Sequence, residues 1–155
     1  MSVNFVVGKT LVAYASEGGV NEDAAKIIAD VLRANYGMDV TVADLKKESP
    51  DITPYQNVIV GSGVHMGHAY NEAVAFLGKD FAGKKVAIYL CCIEGGKPDS
   101  KRIEDYLKNL LSKNPELKPV EVGAFGGRMK MLWKVIDDRD MEKVKSWAIA
   151  LGKKL

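Results

Sequence analysis

A chain of 155 residues, 47% hydrophobic and 27% charged, is long enough for one domain burying about 68–70% of its unfolded surface, and this composition excludes a disordered or fibrous protein. A formal charge of +2, from 22 basic and 20 acidic residues, is too small to argue for nucleic acid as a partner. No apolar run approaches the ~20 residues of a bilayer span, and Phe5-Val6-Val7 lacks the basic leader and cleavage site of a signal peptide, which predicts a cytoplasmic protein.

In chain order, residues 1–9 either lengthen the first strand or lie over a sheet edge. The first strand, 10–15, is almost wholly apolar, as expected of a strand buried on both faces. A glycine turn leads to a helix over 21–36, with Ala24, Ile27, Ile28, Val31 and Leu32 on one face. Asn21 reads as its cap and Gly37 as its stop, while Glu22 and Asp23 suit the N-terminal end of its dipole. Alternation over 38–45 predicts a second strand, and the Ser-Pro and Thr-Pro turns within 46–56 argue against a helix there. An apolar third strand over 57–61 runs into the loop 62–68, followed by a helix over 69–81 with Ala73, Val74, Leu77 and Phe81 facing inward. The fourth strand, 86–91, is followed by the loop 92–97. Pro98-Asp99-Ser100 opens a helix that buries Ile103, Leu107, Leu110 and Leu111 and ends at Asn114-Pro115. A fifth strand over 119–125 precedes Gly126-Gly127, and Met141, Val144, Trp147, Ala148 and Leu151 mark a terminal helix.

Five strands alternating with four helices predict an α/β domain over 1–155, its parallel sheet covered on both faces. Glycine-bearing loops follow the first, third and fourth strands at the same carboxyl edge, where ligands sit in open α/β sheets. The turn Ser16-Glu17-Gly18-Gly19-Val20-Asn21 joins a strand to a helix N-terminus, a corner suited to an anionic group. The adjacent Cys91 and Cys92 read as a strand-end packing pair. His65 and His68 lie apart from them, and neither CxxC nor HExxH occurs, so the spacing offers no metal site.

These residues carry a resemblance. Tyr14-Ala15-Ser16-Glu17-Gly18-Gly19-Val20-Asn21-Glu22 resembles the phosphate loop of flavodoxins, which usually runs Tyr/Phe-x-Ser/Thr-x-Thr-Gly-Asn-Thr-Glu. Val60-Gly61-Ser62-Gly63-Val64-His65-Met66-Gly67 resembles the flavin loop of the menaquinone-dependent protoporphyrinogen oxidase branch of that family. Gly123-Ala124-Phe125-Gly126-Gly127-Arg128-Met129 and Asp138-Arg139-Asp140-Met141-Glu142 resemble later motifs of the same branch. The resemblance implies a flavodoxin-like, doubly wound five-stranded parallel sheet of order 2-1-3-4-5.

It also implies FMN. Ser16, Gly18, Gly19, Val20 and Asn21, with Glu17 between them, would cradle the phosphate, mostly through backbone donors. Ser62, Gly63, Val64, His65, Met66 and Gly67, and on the other side Cys92, Ile93, Glu94, Gly95 and Gly96, would grip the isoalloxazine. Met66 and His65 stand where flavodoxins often stack an aromatic ring, and Trp133 is a further candidate to cover the flavin. No residue is assigned covalent chemistry, which the flavin carries. The corner departs from the family at Gly18, Val20 and Asn21, removing two hydroxyl donors; each lost charge-assisted bond lowers affinity by about 1–3 kcal/mol. The oxidase branch also carries a longer segment before the last helix than the 129–137 found here.

Three functions compete. The first is an FMN-dependent electron carrier or small oxidoreductase, with a redox partner protein, a quinone or a porphyrinogen as donor or acceptor. The near-balanced charge suits the oxidase-like branch better than the strongly acidic electron carriers. The run from Arg128 to Ile136 interleaves cations with apolar groups, which suits a peripheral membrane or partner contact, or plain packing after the fifth strand. The second, a phosphoacceptor domain, needs carboxylates where the chain has Ala15-Ser16 and Gly61-Ser62-Gly63, and it falls. The third is a flavodoxin-like binding module that has lost or weakened FMN binding.

Overall fold

The computed structural model describes residues 9–97, 100–130 and 132–155. The expectations for residues 1–8, for Pro98 and Asp99, and for Met131 lie outside these. Five parallel strands form the sheet: β1 (Thr10–Ala15), β2 (Val40–Asp44), β3 (Asn57–Ser62), then the later strands of residues Lys85–Cys91 and Glu121–Phe125. Two short strands, β4 (Val64–His65) and β5 (His68–Ala69), intervene as a hairpin, so the last two sheet strands are β6 and β7. The sheet order is β2-β1-β3-β6-β7, with every neighbouring pair parallel. This is the predicted 2-1-3-4-5 order when only sheet strands are counted. The chain leaves β1 to one side for β2 and returns to the other side for β3, and that reversal opens a crevice at the carboxyl edge.

The central strands read as continuous apolar runs because both faces are covered. In β1, Leu11, Ala13 and Ala15 join one core with α2 (Asn71–Leu77) and α3 (Arg102–Leu110). Val12 and Tyr14 join the other, under α1 (Val20–Tyr36) and α4 (Met141–Gly152). β6 alternates likewise, so its last residue Cys91 and the following Cys92 enter opposite cores. They are a packing pair across the sheet, both thiols free.

Several elements differ from the sequence reading. α1 begins at Val20, with Gly19 rather than Asn21 at the N-cap; no side chain caps from that position, and Ser16 Oγ instead accepts the Asn21 N–H at 3.3 Å. Gly37 ends it as predicted, in the left-handed region at φ 63°. α2 is shorter than the expected 69–81 because the β4–β5 hairpin consumes its start, and the Asn114 amide takes the carbonyls of Leu77 and Lys79 at its end. Phe81 still reaches the core, edge-on to Phe76 at 6.0 Å between centroids. α3 starts at Arg102, and β7 at Glu121. The stretch after β7, read as a partner or membrane contact or as packing after the fifth strand, folds into a second hairpin, β8 (Arg128–Lys130) with β9 (Val135–Asp137). Among the described residues, no helix is long and apolar enough to cross a membrane.

Candidate functional site

The carboxyl ends of β1, β3 and β6 surround one cleft of about 880 Å³, within the 300–1,000 Å³ range of small-molecule and cofactor sites. The first wall is the corner between β1 and α1. Gly18 and Gly19 both lie in the left-handed region, at φ 78° and 83°. That bend is strained for any residue with a Cβ, and it lies at a helix start, whose first backbone N–H groups have no partner within the helix. Glu17 and Gly18 face the cleft together with Val20 and Asn21. Glu17 is paired with Lys46 at 3.0 Å, and this hydrogen-bonded ammonium holds its carboxyl below the usual glutamate range. Lys46 also lies 4.5 Å from the centre of the Tyr70 ring, so a cation from the segment after β2 reaches the corner.

The second wall is the β4–β5 hairpin. His65 and His68 are direct cross-strand partners, and the two residues between them, Met66 (φ 51°) and Gly67 (φ 82°), both have positive φ. This is the signature of a tight type I′ turn, which matches the right-handed twist of the strands it joins. Met66 is a non-glycine residue in that strained region and is 86% exposed at the rim of the cleft. Val64, His65 and Met66 line the cleft; Gly67 does not. Ser62 is fully buried instead, its hydroxyl donating to the Gly63 carbonyl at 2.8 Å and accepting from the Tyr70 N–H at 3.2 Å.

The third wall is closed by packing. Cys92 begins a 3₁₀ turn over Ile93–Gly96, and its N–H donates to the Phe125 carbonyl at 3.0 Å. A Cβ at Gly95 would lie 2.2 Å from that same carbonyl oxygen, and one at Gly96 would lie 3.0 Å from Asp138 Cβ. These two glycines therefore serve the junction of β6 with β7 and the chain after β9, and only Cys92 and Ile93 of this loop line the cleft. Glu94 faces away from the cleft toward α3, accepting from Ser100 at 2.7 Å and Lys97 at 3.1 Å, which hold its carboxyl below the ordinary range. Cys91 borders the cleft, but burial raises its thiol far above the usual cysteine range, with a further contribution from Cys92; neither thiol is a thiolate at neutral pH.

Ten of the seventeen residues expected at the site line this cleft, while Ser16, Gly19, Ser62, Gly67, Glu94, Gly95 and Gly96 are not among its lining residues. Tyr70, Cys91, Gly127 and Arg128 line it as well, though the sequence reading did not place them among the site residues. Gly127 and Arg128 had a readable signal, since they follow the fifth strand at the same sheet edge. Tyr70 had a weaker one, an aromatic just ahead of a helix. Trp133 does not line the cleft; with Leu132 it stands 87% and 97% exposed in the turn between β8 and β9.

No curated protein sequence matches the chain. Among solved structures it is similar to a short-chain flavodoxin associated with a non-canonical PDU bacterial microcompartment, at 19% identity and TM-score 0.65, over 94% of this chain and 98% of that one. It is also similar to oxidised flavodoxin 2 from Bacillus cereus, at 23% identity and TM-score 0.61, over 95% and 99%. A third similar structure is a Fusobacterium nucleatum flavodoxin bound to flavin mononucleotide, at 15% identity and TM-score 0.61, over 96% and 99%. At these identities the likeness speaks for the fold. The family model described as flavodoxin domain matches residues 11–141, most of the sheet and all three walls of the cleft, and the chain belongs to that family.

Proposed function

We propose that this chain binds FMN and works as a redox protein, transferring electrons as a small flavin-dependent oxidoreductase. The observation that carries the reading is the pairing of a left-handed Gly18-Gly19 corner at a helix N-terminus with an open cleft of flavin-holding size at the same sheet edge. The residues fit the group. The N–H groups of Gly18, Gly19 and Val20, at the start of α1, are placed for a phosphate. His65 and Met66 on one side and Cys92, Ile93 and Arg128 on the other bound the space for a planar ring. Bound there, the flavin would supply the electron chemistry. The chain orients it, keeps Tyr70 and the Cys91 thiol protonated beside it, and leaves one side of the cleft open to a donor or acceptor.

The balance of 22 basic and 20 acidic residues favours a small-molecule acceptor of the quinone or porphyrinogen type over a carrier that docks basic partners. The segment before α4 is here a short hairpin with Leu132 and Trp133 in solvent. Titration of the purified protein with FMN tests the cofactor: saturable quenching of flavin fluorescence in the micromolar range or tighter is expected. Absence of binding there would leave a flavodoxin-like module without flavin. Turnover of quinones, porphyrinogens and reduced pyridine nucleotides by the loaded protein then selects the acceptor and donor.

A further inference from the structure

Asn21 is 3% exposed, and its polar groups are engaged from three places: the corner, β6 and the loop after β3. Its backbone N–H donates to Ser16 Oγ within the corner at 3.3 Å. Its carbonyl accepts from the hydroxyl of Tyr89, a fully buried residue of β6, at 3.0 Å. With its amide oriented to satisfy both neighbours, its side-chain nitrogen donates to the Ser62 carbonyl at 3.1 Å and its oxygen accepts the Gly63 N–H at 3.0 Å. The glycines around it leave no slack: a Cβ at Gly61 would fall 1.9 Å from the Tyr89 ring, and one at Gly63 would fall 2.7 Å from Tyr70 and 3.2 Å from the end of the Asn21 side-chain amide.

From this we infer that the Asn21 side chain acts as a positioning residue rather than a phosphate ligand: it locks the β1–α1 corner to the loop after β3, so that the phosphate end and the ring end of the site form one unit. The inference rests on the FMN reading above for its binding consequences, and on the ligand-free protein for its geometry. An amide suits the site, which asks one short side chain to donate to a carbonyl and accept from an N–H at once, at any pH. The other partners are themselves tied down: the Gly63 N–H also reaches the Ala15 carbonyl at 3.2 Å, and the Ser62 hydroxyl holds the Tyr70 N–H. Loss of the Asn21 amide therefore removes the side-chain link between the corner and the loop that leads into the β4–β5 hairpin, and leaves that loop only its ties to Ala15 and Tyr70.

The experiment compares the full chain with Asn21→Ala and Asn21→Asp, using FMN and riboflavin as probes and amide hydrogen exchange on the ligand-free protein. For Asn21→Ala, affinity for both flavins falls by a similar factor, roughly tenfold or more, since the corner and the loop after β3 lose their side-chain link. Exchange at Gly63 and through the 64–69 hairpin accelerates, while exchange in β7 and α4 does not. Asn21→Asp keeps the acceptor and regains a donor only when protonated, so its riboflavin affinity recovers as pH falls through the carboxyl range. A loss confined to FMN, with riboflavin binding unchanged, would make Asn21 a phosphate ligand and overturn the inference; so would unaltered exchange at Gly63. If Asn21→Ala does not fold, the pH recovery and the exchange of Asn21→Asp decide alone, and a flat profile in both overturns it. Failure of the unsubstituted protein to bind FMN sinks the functional reading, while the exchange result still decides the clamp.

Discussion

The two ends of the cleft use glycine for opposite reasons. At the β1–α1 corner, Gly18 and Gly19 sit at φ 78° and 83°, and a Cβ on either would meet nothing within 4 Å. There glycine is required by the backbone, and the space beyond it is left for a ligand. At the junction beyond β6 and β7 no such conformation is needed, but a Cβ at Gly126 would lie 1.7 Å from the Asp138 carbonyl oxygen, and one at Gly127 2.9 Å from Cys92 Cα. There glycine is required by its neighbours, and the space is already filled. One end is open, as the proposed phosphate site requires, and the other is packed against its neighbours.

The same substitution should separate them. Gly126→Ala forces the new methyl into backbone that cannot rotate aside, and the expected cost is about 3 kcal/mol or more, at the upper end for overpacking. Denaturant unfolding measures it, and a cost under about 1 kcal/mol would mean the junction is looser than its spacing implies. Gly19→Ala meets no atom and carries only the left-handed penalty, about 1–2 kcal/mol. Its larger effect falls on flavin binding, because relief of the strain reorients the N–H groups at the start of α1. Equal destabilisation by the two substitutions would erase the distinction between the ends.

That distinction was not legible in the sequence, where Gly18-Gly19, Gly95-Gly96 and Gly126-Gly127 look alike. The sheet was legible, because strands covered on both faces are continuous apolar runs, and all five appear close to their expected positions. The α1 stop at Gly37 and the glycine corner were legible for the same kind of local reason. The two hairpins were not, since strands of two or three residues are too short to show a period of two. Asn21 shows the same limit: Asn at a helix start is a common cap, and only the tertiary neighbours Ser62, Gly63 and Tyr89 convert it into a clamp. Glu94, readable from its loop either as a carboxylate at the flavin edge or as a solvated one, is instead paired with Ser100 and Lys97 of the chain leading into α3.

The β4–β5 turn extends the comparison, because it belongs to the receiving end but carries methionine where the backbone asks for glycine or asparagine. Met66→Asn places the residue that best tolerates positive φ at the first central position of a type I′ turn, followed by Gly67. Stability should rise by about 0.5–1 kcal/mol, read as a higher melting temperature. No gain would show that the Met66 side chain, despite its exposure, is held by the rim.

The smallest effect expected is electrostatic, and it contrasts Glu17 at the corner with Glu94 at the junction. Both carboxyls lie below the ordinary glutamate range in the folded protein, Glu17 chiefly through its hydrogen bond from Lys46 and Glu94 chiefly through Ser100. A depressed folded-state value contributes stability that is present above the unfolded value, near pH 4.3, and is lost as pH falls through the lower folded value. Glu17→Gln and Glu94→Gln should therefore each flatten the acid limb of the melting curve slightly, with little change at neutral pH for such exposed pairs. Their effects on FMN should part company. Glu17 lines the cleft beside the phosphate corner, so removing its charge frees Lys46 and lifts a repulsion, and FMN affinity should rise modestly and more at low salt. Glu94 lies behind the wall with its partners on α3 and its approach, so Glu94→Gln should leave FMN affinity where it was. Isothermal titration at two ionic strengths reads both, and a change at Glu94 equal to that at Glu17 would mean the charges act on the protein as a whole rather than on the corner where the ligand sits.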